Sequence, residues 1–310
     1  KRILITLILV CTMNNITNAQ NPFYGQYHTP HEAVPFDRIE TEHYEPAILE
    51  GIKLQNAEIE AIIQNPEKAD FTNTIEAFEE SGKLLDKVVA VFGNMLSAET
   101  NDDLQELAQK IMPLLSEHSN NITLNEKLFA RVKEVYNQKE TLQLTQEQKQ
   151  LLENAYNSFI RHGANLEGEA REEYRRLTTE LSKLTLTFSE NNLKETNAYQ
   201  MLLTKKESLA GLPEIIIEAA AETAKNEEKE GWAFTLHAPS YIPFMTYSDN
   251  RDLRQKLYMA YNTKCTHDNE FNNIDIVKKI ANTRMKIAQL LGYKDYAEYT
   301  LKKRMAENSK

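Results

Sequence analysis

Apolar residues along most of this chain recur at steps of three and four, the spacing that gathers them on one face of an α-helix. Ile48, Ile52, Ile59 and Ile62 mark a first helix from Thr41, with Pro46 tolerated near its start and Asn65-Pro66 as its stop. Ile75, Phe78, Leu85, Val89, Phe92 and Leu96 mark a second, opened by Thr72 or Thr74, in which Gly82 reads as a point of close packing rather than a break. Thr100 to Asp103 caps a third carrying Leu104, Leu107, Ile111 and Leu114, and Asn125 caps a fourth carrying Leu128, Val132 and Val135. Thr145 to Gln148 forms a capping box before Leu151, Leu152, Ala155, Tyr156 and Phe159. The longest helix spans 167–197, with a seam of Tyr174, Leu177, Leu181, Leu184 and Phe188. At 1.5 Å per residue it would reach about 45 Å. Residues 41–198 thus predict a helical domain of long antiparallel helices joined by short loops.

The pattern changes at Tyr199. Met201-Leu202-Leu203 and Trp232-Ala233-Phe234-Thr235-Leu236 have the character of strands, the second alternating with period two, and a pairing between them predicts a small sheet of two or three strands around 200–247. Leu209-Ala210-Gly211-Leu212-Pro213 turns the chain into a helix from Glu214 to about Glu228. Pro239 and Pro243 predict an irregular aromatic segment. Helices resume at Asp249 or Asn250 and run to about Thr263, then over about 273–291 up to Gly292, and again from Lys294 to Arg304. Residues 199–310 therefore form a second region, mainly α with a small sheet. Residues 20–40, broken by Pro22, Pro30 and Pro35, read as an extended leader. No repeat period is present, which argues against a solenoid.

Residues 1–19 have the layout of a secretory signal peptide: Lys1-Arg2, an apolar run from Ile3 to Val10 too short to span a bilayer, and small residues before a cleavage point after Ala19. The expectation is an exported protein of the periplasm or cell envelope, not held in the membrane once the signal is removed. A lipoprotein signal using Cys11 is the rival, disfavoured by Val10. The absence of an initiator Met reads as trimming at the start. Loss of the two basic residues would take the net charge from −10 to −12. So acidic a chain argues against nucleic acid as a partner. Cys265 would then be the sole cysteine, which excludes an internal disulfide. It reads as a small buried hydrophobe rather than a nucleophile.

Few residues invite chemistry. His31-Glu32 begins a His-Glu-x-x-His metal motif, but the fifth position is Pro35, and the motif needs two histidines one helical turn apart. His28, His31 and His43 are close in sequence yet read as solvent-facing. Cys265, His267, Asp268 and Glu270 are metal-ligand types, weighed against Asp268 and Asn269 capping the next helix. The run Pro239 to Tyr247 could line a peptide groove beside a strand edge at 232–236, weighed against simple filling of the core. Arg251 or Arg254 could clamp a substrate carboxylate, weighed against a capped helix start with ion pairs. There is no glycine-rich phosphate loop and no Gly-x-Ser-x-Gly elbow.

Four stretches carry a family resemblance. They are Pro35-Phe36-Asp37-Arg38-Ile39 with Glu42-His43-Tyr44-Glu45-Pro46-Ala47; Leu209-Ala210-Gly211-Leu212-Pro213-Glu214; the block from Trp232 to Asn273; and Leu290-Leu291-Gly292-Tyr293-Lys294-Asp295-Tyr296-Ala297-Glu298-Tyr299. In order and spacing they resemble the zinc metallopeptidases of the thimet oligopeptidase and oligopeptidase A family, the run His267 to Asn273 resembling bacterial peptidyl-dipeptidases most.

The resemblance implies a mostly helical protein with a deep channel between two lobes, of which these helices form one wall. It implies short peptides as substrates, a monomer, and one zinc held by two His and a Glu in the family's carboxy-terminal half. Those residues have no counterpart in this sequence, so no catalytic, cofactor-binding or metal residue is assigned to it. The expectation is the amino-terminal portion of an exported peptidyl-dipeptidase, inactive by itself and without bound catalytic zinc. The last helical pattern ends soon after it starts, which favours truncation. The alternative is a non-catalytic helical scaffold or peptide-binding protein of the same ancestry.

Overall fold

The computed structural model describes residues 21–308, and the proposed signal segment, Cys11 included, lies outside them. The chain divides into two compact units: residues up to Ser182 together with those from Met285 onward, and Lys183–Arg284. The change of sequence pattern at 198/199 coincides with a helix end; the division by packing falls within that helix.

In the first unit the helices are α1 (Thr41–Gln64), α2 (Lys83–Ala98), α3 (Asp102–Thr123), α4 (Glu126–Asn137), α5 (Gln146–Arg161) and the first half of α6 (Gly168–Ala198). Their starts follow the side chains that satisfy the otherwise unpaired first-turn amides. Asn101 accepts from Leu104 N–H, Asn125 from Leu128 N–H, and Thr145 forms a reciprocal box with Gln148. Contacts along α1 and α2 run in opposite directions, Tyr44 against Phe92 and Gln55 against Ser81, so the pair is antiparallel. The same holds for α4 and α5, through Tyr136 on Tyr156 and Phe129 on Phe159. Ile62, Ile75, Leu128, Val132, Val135, Leu152 and Phe159 fill the core between these elements. At about 1.5–3 kcal/mol for each fully buried large apolar side chain, this layer is the main source of the unit's stability.

Three expectations need correction here. The second helix opens at Phe71 as a wide π-turn, Phe71–Glu76, because Asp70 rather than a threonine caps it, sharing a reciprocal box with Asn73. Gly82 does break the helix: its φ of +79° is left-handed, α2 begins after it, and a Cβ there would lie 2.3 Å from the Gln55 side chain. Residues 21–40 are not simply extended. They form 3₁₀ turns at Pro22–Tyr24, Pro30–Glu32 and Phe36–Arg38, with proline supplying the φ of a first turn in two of them. This leader is packed down: Phe23 is buried against Tyr44 with ring centroids 5.4 Å apart, and Lys87 donates to the carbonyls of Phe23 and Gly25.

The second unit contains the rest of α6, then β1 (Gln200–Leu203), α7 (Glu214–Asn226), β2 (Trp232–Thr235), α8 (Ala238–Tyr247), α9 (Arg251–Asn262) and the first part of α10 (Ile274–Leu290). The strands pair antiparallel, Met201 opposite Phe234 and Leu203 opposite Trp232. The sheet has two strands among the described residues. Met201, Leu203, Phe234, Leu236, Phe244 and Leu257 form its core. Residues 238–247 are helical, not irregular as expected. Pro239 sits in the first turn, where its missing N–H is no loss. Pro243 would have bonded back to that same turn. The last part of α10 returns to the first unit, where Ile287 packs with Leu124, Tyr174 and Leu177. It ends at Gly292, φ +83°, with Tyr293 N–H on Ala288 O and Gly292 N–H on Gln289 O. A short α11 (Tyr296–Leu301), capped by Asp295, follows. No helix among the described residues is long and apolar enough to cross a membrane.

Candidate peptide-contact region

The block from Trp232 to Asn273, which carried most of the resemblance, folds as one piece of the second unit. Phe244 enters the core edge-on to Phe234, at 4.6 Å between centroids. Tyr241 and Met245 pack beside it, while Ile242 and Tyr247 point outward. The aromatic segment therefore does both things weighed for it: one face fills the core and the other meets solvent. The edge of β2 is tied to its surroundings by polar links. Thr235 N–H donates to Ser240 Oγ at 3.0 Å, and the His237 ring lies between Thr235 Oγ1 at 3.1 Å and Asn197 Oδ1 at 3.0 Å.

Arg254, one of the two clamp candidates, is committed to Ser248 O, across the turn that joins α8 to α9. Arg251 lies exposed in the first turn of α9, which Asn250 caps through Leu253 N–H.

Cys265 is buried, in a left-handed conformation at φ +58°, and its N–H donates to the Glu195 carboxylate. Burial, with the Glu195 carboxylate adding to it, pushes the thiol up to about 11, so at neutral pH it is a protonated thiol and a poor nucleophile. His267 lies 3.7 Å from the same carboxylate. Asp268 and Glu270 face solvent. The caps expected from Asp268 and Asn269 fall later. Asn269 turns the loop through Phe271 N–H; Asn272 accepts from Ile274 N–H, in the first turn of α10. Asn273 is the pin. It is buried, donates to Phe188 O at 3.0 Å, accepts from Asn191 at 2.9 Å, and its N–H bonds Cys265 O at 2.8 Å. Nothing in the sequence marked Glu195 and Asn191 as partners of this loop, because both sit on what reads as the polar face of α6.

The histidines near the chain start do not converge. His31 and Glu32 both have left-handed backbones in a 3₁₀ turn, and Glu32 accepts from Tyr27 N–H. His28 is exposed. His43 Nδ1 accepts from Glu40 N–H at 2.9 Å, closing the capping box of α1. Among the described residues no group of three or more His, Cys, Asp or Glu is placed to hold a metal ion. These residues do not fit the zinc site of the resembled family, and no hydrolytic step is derived from them. What the region offers among the described residues is aromatic and apolar surface with hydroxyl groups.

Comparison with known proteins bears on the same block. Residues 244–310 match the family model Peptidase family M3. The dipeptidyl carboxypeptidase of Escherichia coli is 35% identical over 288 residues, covering 93% of this chain and 42% of that protein. Oligopeptidase A of Salmonella typhimurium is 30% identical, with the same two shares. A thimet-like oligopeptidase of Dictyostelium discoideum is 26% identical over 83% of this chain. The chain spans about two fifths of the length of the first two relatives. Over nearly all of its own length this chain is thus similar to a dipeptidyl carboxypeptidase and an oligopeptidase A, and its residues 244–310 match Peptidase family M3.

Proposed function

We propose that this chain is the amino-terminal portion of an exported zinc metallopeptidase, a peptidyl-dipeptidase that releases dipeptides from the carboxyl ends of oligopeptides. The observation that carries the reading is the 35% identity to a dipeptidyl carboxypeptidase across 93% of the chain. The helices of these residues would form one wall of a channel that admits short unfolded peptides and turns away folded proteins. The zinc, its donors and the base that activates its water would come from residues beyond those present here. The signal-like pattern of residues 1–19 supports export. The dispersed donors of the described residues also suit the rival reading, a non-catalytic peptide-binding scaffold.

Dipeptide release separates the two. The 310-residue chain, incubated with an oligopeptide and zinc, should give no ninhydrin-positive dipeptide. The same residues continued by the remaining part of a family M3 protein should. Turnover by the 310-residue chain itself would defeat the reading, and an inert longer protein would favour the scaffold.

A further inference from the structure

A cavity of about 500 Å³ opens in the first unit, where the start of α4 faces the link from α5 to α6. Glu126, Phe129 and Lys133 line it from α4, Ala164 and Glu167 from the link, and Arg171 from the first turn of α6. Positions 126, 129 and 133 recur at steps of three and four, so one face of α4 presents them together. Leu128, Val132 and Val135 of the same helix are given to the core. Phe129 and Ala164 are buried and supply the cavity's apolar lining. Its volume falls in the range of about 300–1,000 Å³ that takes small molecules.

The charges that line it are not all spent on one another. Arg171 is fixed in place: its Nε donates to Leu166 O at 2.8 Å, and its Nη1 donates to the Glu126 carboxylate. Its side chain is only 17% exposed. That pairing uses one charge of each sign. Nη2 of Arg171, the Lys133 ammonium and the Glu167 carboxylate have no partner among the described residues. Lys133 and Glu167 are exposed and do not pair with each other. A guanidinium already held by two acceptors loses little further freedom when a carboxylate meets its open nitrogen.

The complement of that set carries a carboxylate, an ammonium and an apolar body. We propose that this cavity binds an α-ammonium carboxylate with an apolar side chain, either a free amino acid or the zwitterion of a short peptide. The ligand's carboxylate meets Arg171 and Lys133 in charge-assisted hydrogen bonds, its ammonium meets Glu167, and its side chain rests on Phe129 and Ala164. Every group the site uses lies between residues 126 and 171, so it is independent of zinc and of the peptidase reading above.

The test titrates the 310-residue chain by calorimetry with leucine and with alanyl-leucine, and with the N-acetyl and the amide form of each, which remove one charge at a time. Backbone amide NMR shifts locate the binding. Expected are saturable one-to-one binding of at least one of the two zwitterions at millimolar concentration and shifts centred on Ala130 and Ala164. Which of the two binds tells amino acid from peptide. Each blocked form should bind at least about fivefold more weakly, since it loses a charge-assisted contact. Glu167→Gln should weaken the zwitterion by a similar factor but not the N-acetyl form, and Lys133→Gln the zwitterion but not the amide. Lys53→Gln on α1, an exposed lysine away from the cavity, should change nothing. Circular dichroism checks folding, with Lys133→Met and Glu167→Ala replacing any variant that fails. No saturable binding, shifts centred elsewhere, blocked forms that bind as tightly as the zwitterion, or indifference to both substitutions would each overturn the inference.

Discussion

Gly211 shows how a single residue joins sequence motif to packing. It belongs to the Leu-Ala-Gly-Leu-Pro turn, has φ +85°, and a Cβ there would lie 2.3 Å from Tyr247 O. Beside it Ala210 O accepts from Asp249 N–H at 2.9 Å, so the turn is fastened to the end of α8. Gly211→Ala combines a left-handed backbone with a backbone clash, and should destabilise the second unit by about 1–3 kcal/mol. Trp232, the only tryptophan, lies in that unit, so urea unfolding followed by its fluorescence reads the effect where it occurs. A loss under about 0.5 kcal/mol, the range of an ordinary surface change, would show the clash is relieved at no cost. Asn273 is a comparable case without a glycine: two hydrogen bonds of its buried side-chain amide and one of its backbone N–H anchor the loop that leads from Cys265 to α10.

Between elements, a buried polar chain links α1, α3 and the break before α2. His118 Nε2 lies 2.7 Å from Gln55 Oε1, Gln55 Nε2 donates to Ser81 Oγ at 3.5 Å, and Ser81 Oγ donates to Phe78 O. Glu58 holds the Gly82 N–H at 2.7 Å in the same turn. Burial lowers the His118 pKa, since a charged imidazole there would lose its hydration. The unfolded chain then takes up a proton near the ordinary value of about 6.5, before the folded chain does. Stability contributed by neutral His118 is present above that value, falls as the pH drops through it, and levels off below the depressed folded value. Urea midpoints between pH 7.5 and 5 should show this decline, and His118→Gln should flatten it. An unchanged slope in the variant would mean that His118 titrates as freely in the folded chain as in the unfolded one.

For the whole chain, the distribution of metal donors matters more than their number. Seven histidines and 46 acidic residues are present, yet among the described residues none form a group able to hold a metal. Tight zinc sites need about four ligands converging at about 2.0–2.3 Å. The purified 310-residue chain, dialysed against micromolar zinc and then metal-free buffer, should retain well under one equivalent. Stoichiometric retention would mean that donors standing apart in this structure come together on the ion.

Much of the helical architecture was legible from local signals. Caps at Asn101, Asn125 and Thr145 and the stop at Gly292 sit where the sequence put them, because an amide in a first or last turn can be satisfied by neighbours within three or four residues. The pairing of β1 with β2 was also readable, from two short apolar runs in an otherwise helical chain. The departures share one cause, which is distance along the chain. Whether Gly82 packs or breaks depended on Gln55 and Glu58 waiting on α1. Whether residues 21–40 stay loose depended on Tyr44, Lys87 and Phe92 offering a place for Phe23 and its neighbours. The candidate region divides in the same way. The family resemblance grouped Trp232, Phe244 and the tyrosines in one block, but only the tertiary structure decided which sank into the core and which stayed in water. Local hydrogen bonds and helical spacing are settled by nearest neighbours; burial is settled by whatever the rest of the chain brings to the opposite side.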